Sequence, residues 1–469
     1  MINDLNEILK SNGLVHISGI GGIGMSGIAI LLKNLGFNIQ GSDTCFNANI
    51  SKLESLGIKI FLDQSAQNLY GVNILIKSTA VPPSNPEIKY ASDNNIYIMS
   101  RAEALEFLMA KKISIAVTGA HGKTTTSAMM ASLLLHAKKD PSVLVGGILN
   151  GIGTNAISGK SNIFVAESDE SDGTMNSLTP TYSIVTNIDH EHMDYYKTYD
   201  HLKECFANFI SKTTQISYVF RDQPELYELS KTINHVVYYG EHENADIRLL
   251  NYSMSSHGSV FDFAIHDQIY SNYKLSRLGK HNILNALPVI ALAKELNIDD
   301  SIIRESLEKF AGVARRFSII PNDLGITVVD DYAHHPSEIK AVLETAKLVT
   351  KGRVFAVIQL HRFSRFNNLF NDFCKIASIP DYSYFTSIYA AGEHEIQGLS
   401  HYNLIANVRN SGFSNIDDAA NVIDLSRKIA SKITRGDTVI FLGAGNITKW
   451  AAEFPAFLKS ELGENALHA

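Results

Sequence analysis

The stretch ISIAVTGAHGKTTTSAMMASLL, residues 113–134, decides how the rest of the chain is read. A β-branched apolar run gives way to a glycine-bounded loop, and the loop opens an apolar segment of helical character. Strand, loop and helix in that order form a phosphate cradle. Gly119 and Gly122 let backbone N–H groups face an anion, with Ala120 and His121 between them. Lys123 meets β- and γ-phosphate oxygens, while the Thr124 hydroxyl, next to Thr125, reaches Mg2+. The usual GxxxxGK[ST] spacing asks for glycine at 117; this chain has Val117, so the loop is a shortened GxxGKTT. ATP binding is the expectation.

Towards the N-terminus, LVHIS (14–18) runs into Gly19-Ile20-Gly21-Gly22-Ile23-Gly24 and then the helix-like MSGIAILLKNLG. Asp43, in GSD, ends the next strand candidate 19 residues beyond Gly24. That is the dinucleotide fingerprint in its context: glycines admit a pyrophosphate, a helix N-terminus meets its charge, and an acid takes a ribose hydroxyl. Any pyrophosphate-linked nucleoside, a UDP-sugar included, presents the same groups. The alternative is a tight turn needed only for packing. Two nucleotide sites in succession predict an enzyme that couples ATP to a second, nucleotide-bearing substrate.

Short apolar runs alternate with amphipathic stretches along nearly the whole chain, which predicts an α/β fold with mostly parallel sheets. At 469 residues, about three domains fit. The segmentation is a Rossmann-like block over 1–102, a central ATP-binding block over 103–312 and a C-terminal Rossmann-like block over 313–469. Residues 246–278 alternate more strictly and read as antiparallel hairpins on the edge of the second block. Lys plus Arg total 41 against 48 Asp plus Glu, a net charge of −7. That balance argues against nucleic acid or an anionic membrane as partner. The uncharged stretch Ser11–Leu32 holds six glycines and breaks at the loop, so it reads as buried strand-loop-helix and not as a span. MINDLNEILK lacks the basic n-region of a secretory signal. Cys45, Cys205 and Cys374 form no CxxC pair, which fits a reducing cytoplasm.

Acids cluster after the phosphate loop. NIFVAES ends in Glu167, with Asp169, Glu170 and Asp172 behind it; TNIDHEHMD carries Asn187, Asp189, His190, Glu191, His192 and Asp194. In a parallel sheet the C-terminal strand ends gather beside the loop, where carboxylates and an imidazole could hold Mg2+. The plainer alternative is that such acids cap helices.

Taken together the residues resemble the Mur ligases, ATP-dependent amide ligases of peptidoglycan precursor synthesis. The motifs HISGIGGIGMSGIA, STAVPPSNPEI, SRAEAL, VTGAHGKTTT, AESDESD, TNIDHEHMD, LGKHNILNAL, FAGVARRF, DDYAHHPSEI, HRFSRF, IYAAGE and FLGAGNI carry the likeness, in order, from residue 15 to 447. The resemblance implies three domains that bind a UDP-sugar, ATP and an incoming amino acid. Its implied substrates are UDP-N-acetylmuramate, L-alanine and ATP, with Mg2+ as cofactor, in a monomer or weak homodimer. Gly19, Gly21, Gly22 and Gly24 would hold the UDP pyrophosphate, with Asp43, Ser78 and Thr79 lining that site. Gly122, Lys123 and Thr124 would hold the ATP phosphates. Glu167 and His192 look like magnesium ligands, joined by Thr124. His281, Asn282 and Asn285 match positions facing adenine, and Arg316 and Asp331 match residues reaching phosphates and ribose. Tyr332, His334, Arg362 and Arg365 match the pocket for alanine and its carboxylate, where an arginine fork suits two oxygens. Leu360, Phe366 and Ala120 stand where the family usually has Pro, Thr and Thr. Lys203 lies where related ligases carry a carbamylated lysine, or is an exposed helical lysine.

The implied chemistry activates a lactyl carboxylate as an acyl phosphate, which the alanine amine attacks. The nearest rival is the ligase that recycles cell-wall peptides onto the same sugar nucleotide. A nicotinamide-dependent oxidoreductase is more distant, because it leaves GAHGKTTT unexplained.

Overall fold

Five strands, β1 (Leu14–Ser18), β2 (Asn38–Ser42), β3 (Lys59–Phe61), β4 (Val72–Lys77) and β5 (Tyr97–Ser100), build the first sheet in the order 3-2-1-4-5. Every neighbouring pair in it is parallel. The direction of winding reverses at β1, and the crevice at such a switch point is where open α/β sheets bind ligands. The first glycine loop leaves the sheet at that point. These strands belong to a computed structural model that describes residues 13–170, 173–255 and 258–463. The N-terminal MINDLNEILK and Asp172 lie outside the described residues, as does the side chain of Asp194.

The second sheet has ten strands: β6 (Ile113–Thr118), β7 (Ser142–Leu149), β8 (Thr154–Ile157), β9 (Ile163–Glu167), β10 (Tyr182–Val185), β11 (Ile216–Phe220), β12 (Val236–Gly240), β13 (Ile247–Ser255), β14 (Gly258–Ile265) and β15 (Gln268–Leu275). Their order is 15-14-13-12-11-10-6-9-7-8. Strand β6 lies between β9 and β10, parallel to both, so the phosphate loop also leaves at a switch point. The expected hairpins at 246–278 are β13 to β15, side by side on the sheet edge. The two-residue link His266–Asp267 leaves β14 and β15 no other way to pair than antiparallel.

The third sheet combines β16 (Ser318–Ile320), β17 (Thr327–Asp331), β18 (Val354–Ile358), β19 (Tyr382–Phe385), β20 (Ile416–Asp418) and β21 (Thr438–Leu442), ordered 16-17-21-18-19-20. All pairs are parallel except β16–β17 at the edge. The fold is therefore α/β with three mostly parallel sheets.

The backbone gathers into two compact units. One comprises 1–252, 260–276 and 282–312; the other comprises 253–259, 277–281 and 313–469. The first two sheets share the first unit and a continuous apolar cluster. That cluster runs from Val15 and Ile17 through Ile28 and Leu31 to Leu144 and Phe164. Helix Ile23–Asn34 comes so close to the β7–β8 hairpin that a Cβ on Gly27 would lie 2.2 Å from Leu144 Cδ1. Asn155 Nδ2 donates to Ile23 O across the same seam at 2.7 Å. The uncharged stretch from Ser11 thus becomes β1, a loop and a packed helix over its described part. Among the described residues no helix is long and apolar enough to cross a membrane.

Candidate active site

In the first sheet, Gly19 adopts φ +76°, and a Cβ there would lie 2.9 Å from the Cβ of Ser78. Glycine is required at that turn both by conformation and by space. The next loop residues are held from the side of β2. Asp43 Oδ2 accepts from Gly21 N at 2.8 Å, while Asn47 and Asn49 both donate to Gly21 O, at 3.3 and 2.8 Å. Gly22 caps the helix and Gly24 is its second residue; Ser78 follows β4, and Thr79 is exposed. The Asp43 carboxylate is thus tied to the glycine loop itself, alongside the ribose role the sequence suggested.

Beneath this loop lies a buried polar network. Glu87 accepts from Ser18 Oγ, from Ser42 Oγ at 2.7 Å and from Asn68 Nδ2 at 2.9 Å, and His16 Nε2 is 3.3 Å away. Ser18 and Ser42 end β1 and β2, so one carboxylate ties together the two strand tips that carry Gly19 and Asp43. Burial would raise the Glu87 pKa, but His16 and the donors around it hold it below the ordinary value.

In the second sheet the phosphate loop is braced by the end of β10. Thr186 Oγ1 donates to His121 O at 2.6 Å, Asn187 Nδ2 donates to the same oxygen at 2.9 Å, and Asn187 Oδ1 accepts from His121 N at 2.8 Å. Strand β10 stops at Val185, where Thr186 and Asn187 turn to this task. Gly119 has φ +136°, and a Cβ on it would lie 2.1 Å from Thr186 Oγ1. Gly122, at φ +83°, faces the Asn285 amide, which a Cβ would approach to 3.0 Å. Asn285 and the buried Asn282 share the helix Lys280–Glu295.

Lys123 opens the helix Lys123–His136, and its ammonium is turned back into the loop. Nζ donates to Gly119 O at 2.6 Å and Ala120 O at 3.2 Å and pairs with Glu170 Oε2 at 2.6 Å. Burial alone would lower its pKa; the carboxylates of Glu170, Asp169 and Glu167 overcome that and hold it above the ordinary value. Glu167 accepts from Thr124 Oγ1 at 3.0 Å and from Gly146 N at 2.7 Å, and burial pushes its carboxyl up. Thr125 lies partly buried beside them. His192, itself at φ +59°, puts Nε2 3.2 Å from Glu170 Oε1 and 3.5 Å from Glu191 Oε2. Ligand atoms of Glu170, Glu191 and His192 lie within 4.8 Å of one another. The structure therefore brings Thr124 to Glu167, and His192 to Glu170. Sequence reasoning passed over the central place of Glu170 and Glu191, although both stood in the motifs it singled out.

Lys203 lies on the helix Tyr199–Lys212 with its ammonium 2.5 Å from Asp200 Oδ1. The two residues are three apart on the helix, and Asp200 is largely exposed.

The second unit assembles its own cluster. Asp331, at the end of β17, accepts from Phe317 N and Ala333 N, both at 2.7 Å, and burial raises its pKa to about 6 against the pull of Arg316. Arg316 reaches Glu338 at 3.8 Å and lies over the Tyr332 ring at 5.3 Å. His281 is in this unit, against Gly279. His334 Nδ1 meets Tyr332 O at 3.0 Å, and its ring is 5.5 Å from that of His361. His361 stacks on Tyr389 and lies 3.4 Å from Arg365 Nη1. Burial keeps both imidazoles neutral, His334 at about 3 and His361 at about 4, with Arg365 adding to the effect. Arg362 has φ +69° and donates its N–H to Tyr389 O at 2.8 Å. His361 and Tyr389 were not singled out from sequence, but they occupy the first and second positions of HRFSRF and IYAAGE. Leu360 and Phe366 are fully buried.

Comparison with known proteins adds to this geometry. Residues 14–113 match the model of the Mur ligase family catalytic domain, 117–293 the Mur ligase middle domain, and 315–445 the Mur ligase glutamate ligase domain. The chain is 42% identical over 458 residues to a UDP-N-acetylmuramate–L-alanine ligase of Rhodopseudomonas palustris, covering 96% of this chain and 98% of that protein. It is 41% identical to one of Allorhizobium ampelinum, over 97% of this chain and 99% of that one. The crystal structure of a UDP-N-acetylmuramate–alanine ligase of Thermotoga maritima superposes with a TM-score of 0.81 at 31% identity, over 95% of this chain and 99% of that one. A murein peptide ligase of Psychrobacter arcticus shares the fold at 22% identity and a TM-score of 0.67, over 95% of this chain and 98% of that one.

Proposed function

The chain belongs to the Mur ligase family, and from that premise we propose that it joins L-alanine to the lactyl carboxylate of UDP-N-acetylmuramate, consuming ATP. The observation that carries the reading is Lys123, part-buried among the charges of Glu167, Asp169 and Glu170 at the head of a braced phosphate loop. The reading divides the chain at 102 and 312 into sugar-nucleotide, ATP and amino-acid domains.

In the reaction a carboxylate oxygen attacks the γ-phosphorus, the bond to the β-phosphate oxygen breaks, and ADP leaves. The alanine amine then attacks the acyl carbon, phosphate departs, and the amine gives up a proton. The protein supplies position and charge. With the Ala120 and His121 N–H groups bonded to Asn187, the helix start from Gly122 to Thr124 would present N–H groups to the phosphates, and the Lys123 ammonium, already held charged, would face the transferred phosphoryl as it collects negative charge. The clustered ligand atoms of Glu170, Glu191 and His192 fit a divalent cation, and the hydrogen-bonded Glu167 and Thr124 would offer further hard oxygens. Mg2+, when bound, would offset phosphate charge. Gly19 to Gly24 with Asp43, Ser78 and Thr79 would receive the UDP portion. Asn282, Asn285, His281, Arg316 and Asp331 would receive the nucleoside end of ATP. Tyr332, His334, Arg362 and Arg365 would form the amino-acid pocket, with His361 and Tyr389 as its floor. Such an enzyme works in the cytoplasm, where its nucleotide substrates are.

Purified protein should release phosphate only when ATP, Mg2+, UDP-N-acetylmuramate and L-alanine are all present. Release with a tripeptide in place of alanine would move the chain to the peptide-recycling branch, and no release at all would sink the ligase reading.

A further inference from the structure

Arg101 stands between the first glycine loop and the acids that follow β9. It is the first residue of the helix Arg101–Met109, whose start is fixed by a capping box between Ser100 and Glu103. Ala104, Leu105 and Leu108 bury the helix's inner face, so the backbone that carries the arginine is fixed. Its guanidinium lies over Gly24, the last glycine of the first loop; a Cβ there would be 3.3 Å from Nε and 3.4 Å from Cζ. The same guanidinium has Nη1 3.6 Å from Asp169 Oδ2. Asp169 is in turn one of the carboxylates that hold Lys123 charged. One side chain therefore touches the edge of the sugar-nucleotide loop and the acid group around the phosphate lysine.

Two physical features need explaining. A cation in the first turn of a helix opposes the positive end of the helix dipole. The guanidinium is nevertheless kept within 3.6 Å of Asp169 Oδ2. With about a fifth of its side chain exposed, the guanidinium can still meet a ligand. The proposed reaction must bring a carboxylate against a γ-phosphate beside Glu167, Asp169 and Glu170, three groups of the same sign as both reactants. A guanidinium at the junction offers a planar fork that fits a carboxylate's two oxygens.

We propose that Arg101 is a substrate-positioning residue that holds the acyl carboxylate of the sugar nucleotide between the glycine loop and Lys123. The assignment rests on the ligase reading above. It is tested with the full chain by varying each substrate in turn for the wild type, Arg101→Lys and Arg101→Ala, with thermal unfolding alongside. For Arg101→Ala we expect KM for the sugar nucleotide to rise about tenfold or more and kcat to fall, with KM for ATP within about twofold. Arg101→Lys keeps the charge and loses the fork, and should lie between. Low concentrations of guanidinium should restore part of the alanine variant's rate, which a merely structural role would not allow. The role is overturned if the sugar-nucleotide KM is unchanged, or if both KM values and the melting temperature move together without rescue. A wild type lacking sugar-nucleotide-dependent turnover would instead overturn the ligase reading, and the role with it.

Discussion

The two glycine loops of the first unit are built alike and charged differently. Each leaves, at a switch point, a strand with a parallel neighbour on either side, each needs glycine at positive φ, and each opens a helix. The first is held by Asp43, just past the neighbouring strand, and by Asn47 and Asn49 at the start of the next helix, with Glu87 and its network buried beneath it. The second is held by Thr186 and Asn187 and carries a lysine enclosed by carboxylates. A loop that only grips a pyrophosphate needs N–H groups and a rigid base. A loop over which a phosphoryl group moves also needs its developing negative charge to be answered, and in the proposed function the Lys123 ammonium would do so.

Removing the answering charge should have the largest effect. Lys123→Ala leaves Glu170 buried without its 2.6 Å partner and strips the transferred phosphoryl of its ammonium. Turnover should fall by about 10³ or more, while affinity for the sugar nucleotide, measured by direct titration, stays near wild type. Weakened sugar-nucleotide binding in that variant would break the division of labour between the loops.

Gly119→Ala comes next. The added methyl would lie 2.1 Å from Thr186 Oγ1 on a backbone at φ +136°, so the loop must move away from Asn187. Loss of ATP affinity by about a hundredfold is expected, because several phosphate N–H contacts shift together. The same substitution at Gly21 meets the mobile ends of Asp43 and Asn47, and should cost less.

Glu87→Gln tests the base of the first loop. Gln cannot accept from every donor that now converges on the carboxylate, and a buried unsatisfied group costs about 1–3 kcal/mol. Global stability should fall by that order, and KM for the sugar nucleotide should rise while KM for ATP holds. The acid dependence should change as well. Because the folded pKa of Glu87 is lowered, its contribution is present above the ordinary 4.5 and is lost as pH falls below it. The variant should lose that part of its acid sensitivity in an unfolding titration.

How far these features could be read from sequence follows the same division. Gly19 to Gly24, Gly119 to Lys123 and their flanking strands were legible, because glycine spacing and β-branched runs report local backbone demands. Glu170 was not, because four acids fall within AESDESD and nothing local says which one turns inward. Its selection depends on where Lys123 and His192 arrive from other strands. The Glu87 network joins residues 16, 18, 42, 68 and 87 with no shared motif, and His361 on Tyr389 joins two loops. Parallel sheets make such partners distant in sequence by construction.

The smallest expected effect probes whether the second loop's charge group has another member. Lys203 is a helix residue ion-paired to Asp200, which is itself 84% exposed, and exposed pairs contribute about 0–1 kcal/mol. Lys203→Ala should therefore leave melting within about 0.5 kcal/mol of wild type and alter turnover less than threefold or so. A fall of a hundredfold, restored by short-chain carboxylates or sensitive to bicarbonate, would mean instead that the amine leaves Asp200 in the working enzyme. It would then serve as a carbamate beside Glu167 and Glu170, adding an oxygen ligand where the acids gather. The contrast between the loops would then sharpen, because the second would draw a chemical modification, as well as the groups beyond β9 and β10, into answering the phosphoryl charge.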